Sequence, residues 1–556
     1  MENYGTIQTL IRVMNAYGVE HVFFNPGIDN VPLLETIAAY RAMGEPCPRG
    51  ILCLDEFVAM TAAHGNYMAT GRPQVVSVHS ELGVLQLGGS LHNAQWGRVP
   101  VVFFTENQGP SQRTTWRGDA FDQNGMIRNF VKWDHELAPG DSLVEVLNEA
   151  FSIATTEPYG PVYLNLPRAT LWDKEAPADA APEVVREKPP QADPADIKKL
   201  ARMLLAAEDP LIMTTYLGRY PETVPALVKL AETAGARVLG GDIRVNFPNT
   251  HPLAALQPLK GGFGNPAVAA ADLILFIDYD MHYAMPPTPL AENVKVAHLD
   301  IDIVKKGVPL WNHPPDLAVR ADSRKAVPAL LDAVEELRTS AQATAIAARA
   351  KKYGEERKKL AAEWAKTAAN HGSKKPITAH WLSRCIDESI DENTLVVNQT
   401  ISPASIVQHQ VHREKPGTLL SCAGGCIGWA PGAGLGVKLG APDKTVVSLM
   451  GDGAFIYGCP EATFWGASFY HAPFLAIIFN NQGYGAIKGL FREKYDVDNM
   501  GADIANPPDY AAIAAACHAY GRTVKDPDEV LPTLKDCLKE VKNGRPAVLD
   551  VWIEPV

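Results

Sequence analysis

Two apolar runs at residues 445–450 and 474–479 constrain this chain most, because each ends abruptly on small polar residues. Thr445-Val446-Val447-Ser448-Leu449-Met450 leads into Gly451-Asp452-Gly453, and Phe474-Leu475-Ala476-Ile477-Ile478-Phe479 leads into Asn480-Asn481-Gln482-Gly483. Both runs have the length and composition of buried strands, and residues 460–470 between them can form a helix. The unit therefore reads strand, turn, helix, strand. It predicts neighbouring parallel strands with Asp452 and Asn481 at their carboxyl ends, where open α/β sheets bind ligands. A carboxylate, an amide oxygen and a backbone carbonyl near Gly483 make a hard oxygen set suited to Mg²⁺ or Ca²⁺. The glycines let backbone approach a phosphate whose charge the metal would share. The stretch reads as a diphosphate anchor.

A chain of 556 residues exceeds one ordinary domain, and two to four domains are expected. With 46% hydrophobic and 21% charged residues it is a soluble globular type with ample core material. The net charge of -12, with no basic block to offset it, argues against a nucleic-acid partner but not against a small anionic cofactor. No apolar run reaches transmembrane length, so no membrane partner is expected. Met1-Glu2-Asn3-Tyr4-Gly5 lacks the basic start and apolar core of a secretory signal, and the expected location is the cytoplasm. The 8 scattered cysteines fit free thiols. Cys422 and Cys426 have no second pair or histidine at zinc spacing.

The fold class expected is α/β, with three consecutive domains built on parallel sheets at residues 1–172, 190–335 and 375–556. In the first, strand candidates at 18–24, 50–54, 74–78, 99–104 and 160–166 alternate with helical stretches. A proline-, alanine- and charge-rich linker covers 174–193. Strand candidates at 210–213, 236–239, 273–277 and 294–299 define the second domain. A charged helical connector spans 341–364. The third domain closes on Pro546-Ala547-Val548-Leu549-Asp550-Val551-Trp552, much as the first closes on Gly160-Pro161-Val162, which hints at an internal duplication.

Gly451-Asp452-Gly453 followed at this spacing by Asn480-Asn481 resembles the metal and diphosphate motif of the thiamine-diphosphate-dependent decarboxylase and acetolactate synthase superfamily. The resemblance extends over essentially the whole chain. It implies thiamine diphosphate with Mg²⁺ (or Ca²⁺), the metal held by Asp452, Asn481 and the carbonyl of Gly483. Cofactor contacts implied with them are Ser402, Gly451, Gly453, Ala454 and Tyr484. In Gly424-Gly425-Cys426-Ile427-Gly428, Gly425 matches the position whose carbonyl meets the aminopyrimidine, and Ile427 the apolar wedge that bends the cofactor. Glu56 matches the glutamate that meets the aminopyrimidine across a subunit interface. Its carboxylate on ring N1' would favour the imino tautomer whose N4' removes the thiazolium C2 proton. The superfamily implies a homodimer as the minimum unit and commonly a homotetramer.

Val78-His79-Ser80-Glu81 is similar to the benzoylformate decarboxylase pattern, which implies His79 as a proton-moving catalytic group. Phe247-Pro248-Asn249-Thr250-His251-Pro252 resembles the place of that enzyme's second histidine, which puts His251 in the same role. The substrate pocket expected comprises Asn25, Ile28, His79, Ser80 and His92, with Glu81, Gln95 and Gln123 around it. Asn25-Pro26-Gly27-Ile28-Asp29-Asn30 matches the turn that carries a carboxylate-binding serine, but Ile28 stands at that position and cannot donate a hydrogen bond. A benzoylformate decarboxylase-like 2-oxo acid decarboxylase is the first expectation. A carboligase or acyloin-cleaving lyase of the same chemistry is the second. A non-catalytic cofactor-binding relic is argued against by Glu56, Asp452 and Asn481 standing together. A nicotinamide oxidoreductase lacks its Gly-x-Gly-x-x-Gly signature here.

Overall fold

The computed structural model describes residues 4–107, 122–241, 243–256, 265–280, 290, 293–305, 315–495 and 501–555. Three parallel sheets form in succession, each around central strands that are buried on both faces and therefore need helices on both sides. The first contains β1 (His21–Asn25), β2 (Arg49–Leu52), β3 (Gln74–Val78), β4 (Val101–Asn107), β5 (Trp133–Glu136) and β6 (Val162–Pro167), in spatial order 2-1-3-4-6-5. The second contains β7 (Pro210–Thr214), β8 (Arg237–Leu239), β9 (Leu273–Ile277), β10 (Lys295–Asp300) and β11 (Leu317–Arg320), in order 11-10-9-7-8. The third contains β12 (Leu395–Gln399), β13 (Leu419–Leu420), β14 (Val446–Gly451), β15 (Leu475–Asn480), β16 (Tyr520–Val524) and β17 (Ala547–Trp552), in order 13-12-14-15-17-16.

The first and third sheets have the same strand order once renumbered, which gives the hinted duplication a topological basis. Four strands carry no clear signal in the sequence: β5, β11, β13 and β16. All four are sheet edges. An edge strand is covered on fewer sides, so its sequence need not be an uninterrupted apolar run; the alternation of buried and exposed residues in β11 shows this. Residues 173–193 contain no helix or strand, as expected of a linker. The connector is a single helix, Ser340–Asn370, capped by Thr339 and Gln342 and buried chiefly at Ile346, Tyr353, Arg357 and Ala368.

The outer modules share one core while the central module keeps its own. The Glu56–Thr70 helix lies on the Trp429–Gly440 helix through small residues. A Cβ at Gly436 would sit 2.8 Å from Ala62 Cα, and one at Gly65 would sit 2.7 Å from Ala433 Cα. Only glycine permits backbones to approach so closely. Asn66 Nδ2 donates to the Gly436 carbonyl at 3.1 Å and fixes the register. Ion pairs join the first module to the central one: Arg98 to Asp280 at 3.1 Å, and Arg219 to Glu157 at 2.8 Å.

Candidate active site

β14 and β15 pair in parallel, Gly451 opposite Phe479, so Asp452 and Asn481 emerge side by side at the carboxyl end of the sheet. Asp452 is buried, its Oδ1 accepting from the Gly453 N–H (2.9 Å) and its Oδ2 from the Gly483 N–H (3.0 Å). Burial pushes the Asp452 carboxyl up, and those backbone donors pull it partly back. The Asn481 amide oxygen faces Asp452 Oδ1 at 3.3 Å and the Gly483 carbonyl oxygen at 2.7 Å. Three oxygens so close repel one another unless a cation lies among them or the amide turns its NH₂ inward. With the NH₂ turned inward, Asn481 donates to Asp452 Oδ1 and to the Gly483 carbonyl oxygen. Among the described residues, no group of three or more His, Cys, Asp and Glu side chains could hold a metal ion.

The loop is braced from behind. Asn480 Nδ2 donates to Asp550 Oδ1 (2.9 Å), and the Gln482 N–H donates to Asn480 Oδ1 (3.2 Å). The Tyr484 N–H donates to the Ala502 carbonyl at 2.8 Å, and a Cβ at Gly453 would meet the Tyr484 ring at 2.7 Å. Gly453 is thus required by the ring that covers it. Ala454 is buried in the six-residue Asp452–Tyr457 helix, an element the sequence pattern does not announce. Ser402 is exposed just ahead of the Ala404–Gln410 helix.

At the far end of the Asp452–Tyr457 helix the first module arrives. Phe57 meets Tyr457 edge-on, ring centroids 5.6 Å apart. Asp55 caps its own helix, accepting from the Phe57 N–H at 2.7 Å, and its side chain also bonds the Cys459 thiol. This frees the next residue, Glu56, which is buried at the opening of the Glu56–Thr70 helix. Asn93 grips the glycine loop from both sides: Nδ2 donates to the Cys426 carbonyl (2.8 Å) and Oδ1 accepts from the Cys426 N–H (3.1 Å). Gly425 faces open space and Ile427 is half-buried. The Phe57–Tyr457 and Asn93–Cys426 contacts join the first and third modules of one chain.

His79 precedes the Ser80–Trp96 helix, and Ser80 takes a left-handed conformation at φ 41°. A strained residue beside a functional side chain is a common companion of active sites. His79 Nδ1 lies 2.6 Å from Asp29 Oδ2, and Arg168 pairs with the other Asp29 oxygen. Asn25 ends β1, and Ile28 is 68% exposed in the short turn beyond it. Gln123 accepts from Thr105 Oγ1 at 3.1 Å, and its amide reaches Glu81 at 3.5 Å.

Two expected neighbours of His79 stand elsewhere. His92 accepts from Trp96 Nε1 at 3.1 Å and faces Phe130. His251 lies 3.2 Å from Glu232, accepts from the Leu253 N–H at 3.1 Å and packs edge-on against Phe247. All its contacts are in the central module, and it shares none with His79 among the described residues. Sequence reasoning gave Asp29 no role and missed Arg168, Asn93 and Tyr457. Arg168, directly after a strand end, carried a positional signal; Asn93 carried none.

A buried oxygen cluster at two strand ends is thus joined, through one short helix, to the glutamate-headed helix of a second parallel-sheet module. Comparison with known families specifies the cofactor. Residues 6–126 match the thiamine pyrophosphate enzyme N-terminal TPP binding domain, 197–330 the central domain and 403–551 the C-terminal TPP binding domain. The chain belongs to the thiamine pyrophosphate enzyme family, in its decarboxylase and acetolactate synthase branch. It is 25% identical over 577 residues to a probable acetolactate synthase large subunit of Methanocaldococcus jannaschii, covering 99% of this chain and 92% of that one. It is also 25% identical over 562 residues to a benzoylformate decarboxylase of Pseudomonas aeruginosa, covering 98% of each. The fold matches that of benzoylformate decarboxylase from Polynucleobacter necessarius, with a TM-score of 0.81 at 20% identity and 100% of both chains covered. No helix among the described residues is long and apolar enough to cross a membrane.

Proposed function

We propose that this enzyme decarboxylates a 2-oxo acid without oxidation, in the manner of benzoylformate decarboxylase. The reading is supported by the close approach of the Asp452, Asn481 and Gly483 oxygens at the strand ends, and by Glu56 buried at the head of the helix whose Phe57 meets Tyr457. Thiamine diphosphate, when bound, supplies the electron sink that accepts the bonding pair as carbon dioxide leaves. Asp452, Asn481 and the Gly483 carbonyl hold Mg²⁺ (or Ca²⁺). Gly451, Gly453, Ala454, Ser402 and Tyr484 line the diphosphate. The Gly425 carbonyl and the Ile427 side chain seat the heterocycle, and Glu56 hydrogen-bonds its ring nitrogen. His79 moves the proton.

A second reading is a carboligase or acyloin-cleaving lyase of the same cofactor chemistry. It is favoured by Ile28, whose exposed apolar side chain offers no hydrogen bond to a substrate carboxylate, and by similarity to an acetolactate synthase. The test is carbon dioxide release from benzoylformate and a panel of aliphatic 2-oxo acids, with thiamine diphosphate and Mg²⁺ present. Release with free aldehyde supports the first reading. Chiral ligation products formed faster than aldehyde select the second, and an inert protein would reinstate a cofactor-binding relic.

A homodimer, assembling further to a homotetramer, is the proposed state. Leu82 and Leu85 on one helix and Ile487 and Leu490 on another are each at least half exposed at i,i+3 spacing. Sedimentation at micromolar concentration reads the state directly, and a monomer would remove the proposal. The eight cysteines are free, which supports a cytoplasmic location.

A further inference from the structure

The turn after β1 is built around His79. A Cβ at Gly27 would lie within the His79 ring, 2.8 Å from Cε1, so glycine is required there for the imidazole to sit against the backbone. The Gly27 N–H donates to Asn30 Oδ1 (2.8 Å), and Asn30 Nδ2 donates to Ser77 Oγ (2.7 Å), which staples the turn to β3. Between these anchors stands Asp29, its side chain 1% exposed. One carboxylate oxygen meets His79 Nδ1 at 2.6 Å and the other meets the Arg168 guanidinium. His79 and Arg168 are each about one-third exposed, at 37% and 32%. A buried carboxylate with a cation on one side and an imidazole on the other is an orienting device.

We propose that Asp29, paired with Arg168, is the positioning residue for His79: it accepts the Nδ1 proton and so leaves Nε2 as the nitrogen that takes and returns protons. This rests on His79 as the proton-moving group of the reaction proposed above. The step balances simply. Nε2 takes a proton to make an imidazolium beside Asp29, and later gives it back, while Nδ1–H stays bonded throughout. Arg168 offsets part of the carboxylate's charge. Among the described residues, Glu106 at the end of β4 interacts with both Asp29 and Arg168, and Glu81 follows His79 two residues on. Burial, with a contribution from Asp29, pushes the Glu106 carboxyl up to about 9, so it is neutral at pH 7 and leaves the pair undisturbed.

The two partners of Asp29 make the idea testable by sign. Asp29→Asn removes the negative charge facing His79, and Arg168→Met removes the positive charge that offsets it. The full chain and these variants, with Arg168→Lys as the conservative control, are treated with diethyl pyrocarbonate between pH 5 and 8. This reagent reacts with neutral imidazole, and peptide mass spectrometry reads the rate at His79. The midpoint of that rate moves down by about one pH unit in Asp29→Asn and up by about one unit in Arg168→Met. It stays near that of the parent in Arg168→Lys. Shifts of opposite sign, each in the stated direction and in variants whose circular dichroism matches the parent, support the proposal. If Asp29→Asn does not fold, Arg168→Met decides alone. Unmoved midpoints, or shifts of the same sign in both variants, overturn it. The rates need no turnover, so a protein that decarboxylates nothing would sink the proposed function and leave this titration still decisive.

Discussion

Gly436→Ala is the substitution through which the shared core of the outer modules can be weighed. The added methyl would press on the Ala62 carbonyl oxygen and lie 2.6 Å from its carbon. Carbon atoms prefer about 3.5 Å or more, so the two helices must part by roughly 1 Å. The obstacle is backbone, which cannot swing aside as a long side chain could. Overpacking of this kind costs about 3 kcal/mol, while replacing a helical glycine by alanine returns about 1 kcal/mol of backbone entropy. The net is a loss of ~2 kcal/mol, which lowers the melting temperature by roughly 6 °C for a domain of this size. The same movement shifts Asn93 and the start of the Glu56–Thr70 helix away from the Gly425–Ile427 loop. Cofactor held by both walls should then bind about 30-fold more weakly, the same 2 kcal/mol expressed as affinity. Thermal melting and titration of thiamine diphosphate against tryptophan fluorescence, with Mg²⁺ present, read both numbers. Gly354→Ala is the matched control, since its methyl would meet only Pro252 Cβ at an ordinary 3.5 Å; it should stabilise by about 1 kcal/mol. If Gly436→Ala melts no lower than the parent and binds cofactor equally well, the helix contact does not organise the cleft and the reasoning fails.

Glu56→Gln should still take up thiamine diphosphate but lose turnover on the order of 100-fold or more, because the amide cannot support ring tautomerisation; steady-state rates at saturating cofactor decide it. Asp452→Ala should bind thiamine diphosphate no better with Mg²⁺ than with chelator, whereas the parent should lose affinity when EDTA is added; calorimetric titration separates the two. Glu106 links stability to alkaline pH. Its folded pKa of about 9 exceeds the ordinary 4.5, so stability is full below 4.5 and declines as pH rises toward 9. Glu106→Gln, which mimics the neutral acid, should lack that decline, and at pH 8 it should exceed the parent by about 2 kcal/mol after allowance for relaxation. Parallel melting curves for both proteins from pH 5 to 9 would remove this assignment.

The sequence by itself determined the central strands and the chemistry at their ends. A strand buried on both faces must be an apolar run, so β14 and β15 announced themselves, and Asp452 and Asn481, just past their carboxyl ends, could be read directly. The same logic located β1, β3, β7, β9 and β17 but not β5, β11, β13 or β16, whose edge positions relax the pattern. Glu56 was legible because one local signal, a carboxylate at a strand-to-helix junction, agreed with a distant motif. Tertiary structure decided everything that depends on contact between segments far apart in the chain. Asp29 and Arg168 are separated by 139 residues yet share one ion pair, and Asn93 reaches Cys426 across 333. It also separated His79, seated on its carboxylate, from His251, engaged with Glu232, although the two looked alike as isolated histidines. A side chain's type is written in the sequence, but its partner is fixed only when sheets and helices pack, because packing alone sets which groups lie within hydrogen-bond reach.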